Sequence, residues 1–114
     1  MTLEWHYRRN NCKTCERAED FLRKKNIKAA TTVDARKVRL GPEEALKMAR
    51  NANQIFATKG TKVMHVDLHK DKPSDDQLIA LLIGPSGNLR APTLLTGKTL
   101  LVGFDEESYS RVLS

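Results

Sequence analysis

Residues 2–34 constrain the fold most, because the spacing of their apolar side chains changes twice. Leu3, Trp5 and Tyr7 alternate with polar neighbours across residues 2–7, the period of a strand. Asn10 and Asn11 break that run, as loop residues do. From Thr14 the period becomes helical: Cys15, Ala18, Phe21 and Leu22 form one apolar stripe. Glu16, Arg17, Glu19, Asp20, Arg23 and Lys24 occupy the outer face, and Asn26 is a stop signal. Residues 29–34, small and β-branched, suit a second strand. Strand, helix and strand in this order predict a parallel pair joined by a right-handed crossover. The fold class is therefore α/β.

Downstream, Gly41-Pro42-Glu43-Glu44 opens a helix, with proline near the first helical position and acids in the first turn. That helix runs through Ala45, Leu46, Met48 and Ala49 and fades at Asn51 or Asn53. Residues 54–72 are lysine-rich with scattered apolar side chains, and a short helix is expected around 61–67. Ser74-Asp75-Asp76-Gln77 reads as a capping box before Leu78, Ile79, Leu81 and Leu82, and Gly84-Pro85 ends that helix. Residues 85–88 form a turn. Residues 92–96 and 99–102 flank Gly97-Lys98, the signature of a hairpin with a type II′ turn. Asp105 caps a last helix that buries Tyr109, Val112 and Leu113.

A chain of 114 residues with 39% hydrophobic side chains fits one domain, 1–114. Only six residues are aromatic, so the core must be mostly aliphatic. No window approaches the roughly 20 apolar residues of a spanning helix. The opening MTLEWHYRRN carries no apolar signal region, so cytoplasmic residence is expected, with thiols kept reduced. Composition thus excludes a membrane protein, a disordered chain, a disulfide scaffold and a multidomain enzyme. The net charge of +6 is uneven. Residues 1–62 hold 15 Lys/Arg against 7 Asp/Glu, whereas residues 63–114 hold 5 against 7. A basic half attracts anionic substrates or acidic partner surfaces, or is simply a solvated face. It lacks interleaved aromatics and groove-reading motifs, so direct nucleic-acid binding is not expected.

The strongest chemical signal is Cys12-Lys13-Thr14-Cys15, in the loop from the first strand into the first helix. A helix N-terminus favours a thiolate at Cys12, and Lys13 adds positive charge. Cys15 lies one turn on, where its sulfur can resolve a mixed disulfide. Next to a βαβ pattern, such a spacing reads as a redox pair, although two structural thiols would share it. Zinc is the competing use, with His65 and His69 as further ligands. The 49 residues between Cys15 and His65 far exceed the span of a compact finger, so no metal is expected. His6, beside Trp5, is expected to face solvent.

These residues, taken in order, resemble the arsenate reductase-related (ArsC/Spx-like) family of thioredoxin-fold proteins. Asn11-Cys12-Lys13-Thr14-Cys15-Glu16-Arg17-Ala18 looks like the family's cysteine loop, and Phe56-Ala57-Thr58-Lys59-Gly60-Thr61 like its Asn-Thr-Arg-Gly-Thr motif. Ser74 to Leu82 looks like its Ser-Asp-Glu-Glu-Leu helix, and Ala91-Pro92-Thr93-Leu94-Leu95 like its Arg-Pro-hydrophobic strand. Val102-Gly103-Phe104-Asp105-Glu106-Glu107 looks like the start of its last helix. The resemblance implies a thioredoxin-like fold, a mixed sheet of about four strands interrupted by a helical insert at about 42–83. It implies Cys12 as nucleophile, a cis-proline at Pro92 beside it, and oxyanion-binding or supporting roles for Lys13, Lys59 and Arg90. Lys59 stands where the family motif has arginine, and Ala91 replaces the arginine before the proline, with Arg90 one residue displaced. Lysine lacks arginine's planar fork, so efficient arsenate reduction is not expected. The implied activity is thiol–disulfide chemistry with no bound cofactor. Its electrons come from an external reductant such as glutathione, glutaredoxin or thioredoxin, or pass to a protein disulfide partner. The second reading is an Spx-type redox-sensing regulator that binds an acidic protein surface such as RNA polymerase.

Overall fold

A computed structural model describes residues 2–113. The elements in chain order are β1 (Thr2–Arg8), α1 (Lys13–Lys24), β2 (Lys28–Asp34), α2 (Pro42–Arg50), β3 (Gln54–Lys59), β4 (Lys62–Asp67), α3 (Leu68–Asp71), α4 (Asp75–Leu82), β5 (Thr93–Thr96), β6 (Thr99–Val102) and α5 (Glu106–Leu113). The opening crossover takes the expected form: β1 and β2 pair in parallel, from Leu3 opposite Ala29 to Arg8 opposite Asp34. β5 joins β1 antiparallel and hairpins onto β6. Gly97 carries φ 58, as the first central residue of a II′ turn requires. Ser74 and Gln77 exchange both hydrogen bonds of the capping box at the start of α4.

The expected sheet of about four strands is corrected to six, in the order β2-β1-β5-β6-β3-β4. The two extra strands lie inside residues 42–83, so that insert is not purely helical, and residues 61–67 are not a helix. β3 lies parallel to β6, and β4 folds back antiparallel as the outer edge. Gly60, at φ 60, makes the turn between them. Ile55, Phe56 and Ala57 are buried because β3 is covered on both faces. β4 leaves Val63 and Met64 exposed at the rim, and that is why its residues show no apolar periodicity.

Two helical layers sandwich this sheet. Ala45 and Ala49 of α2 and Leu78, Leu81 and Leu82 of α4 pack on Ile55, Ala57, Leu100 and Val102. On the other face, Ala18, Phe21 and Leu22 of α1 and Tyr109 and Leu113 of α5 pack on Phe56, Leu94 and Leu101. Phe21, Phe104 and Tyr109 meet edge-on at centroid distances of 4.7 to 6.2 Å. Each such pair contributes about 0.5–1.5 kcal/mol beyond its buried area. Among the described residues no helix is long and apolar enough to cross a membrane.

His6 does not face solvent. It is 5% exposed, and its Nε2 has no hydrogen-bond partner. Burial lowers its pKa from 6.5, Glu19 opposes that shift, and Arg8 adds to it. The folded pKa is thus below the unfolded one, so the unfolded chain takes up the proton first. Stability from neutral His6 is fully present above about pH 6.5 and falls as pH drops toward the folded pKa. Urea midpoints of the wild type and His6→Leu should therefore diverge between pH 7 and pH 5, the wild type losing more. Parallel midpoints over that range would refute the assignment.

Candidate active site

The path into the site is set by Asn11, whose φ of 56 is a left-handed conformation that asparagine tolerates. The turn delivers Cys12 as the N-cap of α1, in extended conformation, with Lys13 as the first helical residue. Cys12 Sγ accepts the Cys15 backbone N–H at 3.2 Å, taking the place an oxygen usually fills at a cap. The same sulfur lies 3.9 Å from the Ala91 carbonyl oxygen. The Ala91–Pro92 peptide is cis, and Pro92 is buried. Cys12 keeps 7% exposure, whereas Cys15, on the stripe with Ala18 and Leu22, has none.

The two thiols are driven apart electrostatically. Burial raises the Cys12 pKa, but hydrogen bonds from the Cys15 side chain and backbone and from the Arg9 guanidinium outweigh it, and the net shift is downward. Burial pushes Cys15 up to about 12, and its hydrogen bond to Cys12 adds to the rise. One sulfur is thus suited to be a thiolate and its neighbour to remain a thiol.

The loop behind Cys12 is held on three sides. Arg90 Nη2 donates to Thr58 O at 2.6 Å, and Nη1 donates to Leu81 O at 3.4 Å. Thr93 Oγ1 donates to Arg90 O at 2.6 Å, and Gly103 N–H to Pro92 O at 2.8 Å. Lys59 Nζ donates to Ala80 O at 2.7 Å, at the carbonyl-rich end of α4, where a cation is favoured.

The family model for the ArsC family matches residues 7–112, a span that includes the cysteine-capped helix and the proline loop. The chain belongs to the ArsC family. The ArsC fold is visible as well in a solved relative, an ArsC family related protein from Bacteroides fragilis. The two share a TM-score of 0.57 at 20% identity, over 94% of this chain and 96% of that one. None of the curated proteins matches the chain.

The structure brings Cys12 and Cys15 against the Ala91–Pro92 loop and engages Lys59 and Arg90 with backbone carbonyls. Lys59 and Arg90 serve the end of α4 and the β3 carbonyls. Lys13 is exposed on the first turn. His65 and His69 hydrogen-bond to Gln54 and Asn53 and do not join the cysteines in any metal-sized cluster among the described residues. Sequence reasoning missed Arg9, the cation that helps lower the Cys12 pKa. Its position three residues before Cys12 was the available signal.

Proposed function

We propose that this ArsC family protein is a thiol–disulfide oxidoreductase in which Cys12 attacks and Cys15 resolves. The observation that carries this reading is the Cys12 sulfur at the α1 N-terminus, bonded by the Cys15 N–H, with its pKa lowered while that of Cys15 is raised. Cys12 thiolate attacks a disulfide sulfur and forms a mixed disulfide while one thiolate leaves. Cys15 then attacks Cys12, closing an intramolecular disulfide and releasing the second thiol. An external thiol, such as glutathione, glutaredoxin or thioredoxin, returns the pair to the dithiol, and no resident cofactor is needed. Lys13, beside the pair, adds positive charge that is screened by solvent. A cytoplasmic setting suits this cycle.

Arsenate is a poor substrate on this reading. Lys59 and Arg90 are engaged with carbonyls, and Ala91 presents no charge beside Cys12. The test is turnover of a small disulfide coupled to a thiol reductant, with arsenate in a parallel assay. Expected are disulfide turnover, a mass loss of about two protons on mild oxidation, no dimer, and no saturable arsenate reduction. A Cys12–Cys15 potential near the thioredoxin range, roughly −270 mV, suits recycling. Oxidation without turnover would sink the enzyme reading. Together with capture of the carboxy-terminal domain of RNA polymerase α, it would favour the Spx-type sensor, which the exposed arginines also support.

A further inference from the structure

A cleft of about 580 Å³ opens beside the cysteine loop, bordered by Tyr7, Arg9, Arg36, Arg39, Arg90 and Ala91. That volume lies within the range of small-ligand sites. Arg90 is already committed to the Thr58 and Leu81 carbonyls. Arg9 is engaged with Cys12, and the Arg36 and Arg39 side chains make no hydrogen bond or ion pair among the described residues. Ion pairs among the described residues are those of Arg8, Arg23, Arg50 and Arg111, so Arg9, Arg36 and Arg39 have no carboxylate within reach. The nearest acid of the loop, Asp34, accepts the Arg36 backbone N–H at 2.9 Å.

The cleft is built rather than incidental. Tyr7 is fully buried, donates its hydroxyl to Val38 O at 2.6 Å and accepts the Leu40 N–H at 3.3 Å. Those two bonds tie the loop carrying Arg36 and Arg39 to β1, the strand that leads to Cys12. Ala35 N–H donates to Arg8 O at 2.7 Å and Leu89 N–H to Leu40 O at 2.6 Å, closing the cleft floor against the 84–91 loop. One end of the cleft borders the Cys12 site through Ala91, which lines the cleft and whose carbonyl oxygen lies 3.9 Å from Cys12 Sγ. Arginine forks match carboxylates bidentately, so the two unpaired forks of Arg36 and Arg39 in this lining favour an anionic ligand.

We infer that this cleft selects the disulfide substrate of Cys12, and that the favoured disulfides carry carboxylates on the groups flanking the sulfurs. The inference rests on Cys12 being the attacking thiol. Carboxylates on Arg36 and Arg39 hold the disulfide while its nearer sulfur meets Cys12. The Cys12–S bond forms as the S–S bond breaks, and a carboxylate-bearing thiolate leaves. Cys15 attacks Cys12, its proton passes to solvent, and the second thiolate is released. The protein dithiol loses two electrons and the disulfide gains them.

The test is the oxidation rate of the reduced protein by 3,3′-dithiodipropionate, 2-hydroxyethyl disulfide and cystamine, which are anionic, neutral and cationic. Each rate is normalised to that of free mercaptoethanol with the same disulfide. The anionic probe should exceed the neutral one by about tenfold at low salt, and the cationic one should be slowest. Added salt should narrow the spread. Arg36→Gln with Arg39→Gln should bring the anionic-to-neutral ratio to near one. Arg111→Gln, which removes one positive charge from α5, should leave the ratio unchanged. Equal normalised rates for all three probes, or a ratio that survives the double substitution, would overturn the cleft assignment and leave the oxidoreductase reading standing. Failure of Cys12 to attack any of the three would instead remove that reading.

Discussion

In the native protein at pH 7, iodoacetamide should label Cys12 and leave Cys15 almost untouched until the chain unfolds. Alkylation requires the thiolate and a path to it. A thiol at about 12 holds about one thiolate in 10⁵ at pH 7, and Cys15 has no exposed surface. Cys12 has both an opening and a lowered pKa, because the Cys15 N–H and Arg9 stabilise its charged form more than burial opposes it. Cys12→Ser should therefore reduce native labelling by more than about a hundredfold. In Cys15→Ser, Cys12 should still attack a disulfide and stall as the mixed disulfide, since no second sulfur is there to release it. The Cys12 rate should rise with pH through a midpoint below that of a free thiol, and Arg9→Gln should move that midpoint upward. If Cys15 is the faster thiol in the folded protein, the roles are reversed and the proposed mechanism goes with them.

The elements that could be read from sequence are those whose periodicity and punctuation agree. Trp5 and Tyr7 alternate, Ala18, Phe21 and Leu22 repeat at helical spacing, and Pro42, Ser74 and Gly97 mark boundaries that the structure keeps. The β3–β4 hairpin was missed although Gly60-Thr61 carries the same glycine-first turn signal as Gly97-Lys98. The difference is burial. β5 and β6 sit mid-sheet and read as aliphatic runs, whereas β4 is an edge with its first four residues exposed, and lysines flank the turn. His6 was misplaced for the opposite reason, since a polar residue on an alternating strand usually faces water.

The cysteine pair was legible because it is local: four consecutive residues and a helix start define it. The groups around it are not local. Arg36 and Arg39 approach the cysteine end of β1 because β2 pairs with β1 and the Tyr7 hydroxyl bonds Val38, 31 residues away. Lys59 and Arg90 looked like oxyanion ligands by their motif positions, yet each finds unpaired carbonyls nearer to hand at the end of α4. Which acceptor a long cationic side chain takes depends on helix packing, and no spacing in the sequence encodes that.

Replacing Gly103 with alanine should produce the largest loss of stability of any single methyl addition at a described glycine. Gly103 has φ 82, and a Cβ placed on it would stand 2.8 Å from Thr58 O and 3.4 Å from both Thr58 Cβ and Arg90 Nη2. The close atom is a β3 backbone carbonyl that no rotamer change can move. That carbonyl also accepts Arg90 Nη2, so shifting it disturbs the anchor of the Pro92 loop. Gly103 further donates its N–H to Pro92 O and accepts the Tyr109 hydroxyl at 2.7 Å. The left-handed conformation alone costs alanine about 1–2 kcal/mol. With the backbone clash the total should reach about 3 kcal/mol, a drop in Tm of about 10 °C or more. Gly87 is the control, because its φ of 84 is nearly the same and nothing lies within 4 Å of its added Cβ. Gly87→Ala should therefore show the conformational cost by itself. Thermal melts of the two variants should differ by at least the clash contribution, with Gly103→Ala also slowing Cys12 alkylation as the Pro92 loop shifts. Equal losses in the two variants would mean that β3 yields freely to the methyl, and that Gly103 does not fix the distance between β3 and the proline loop.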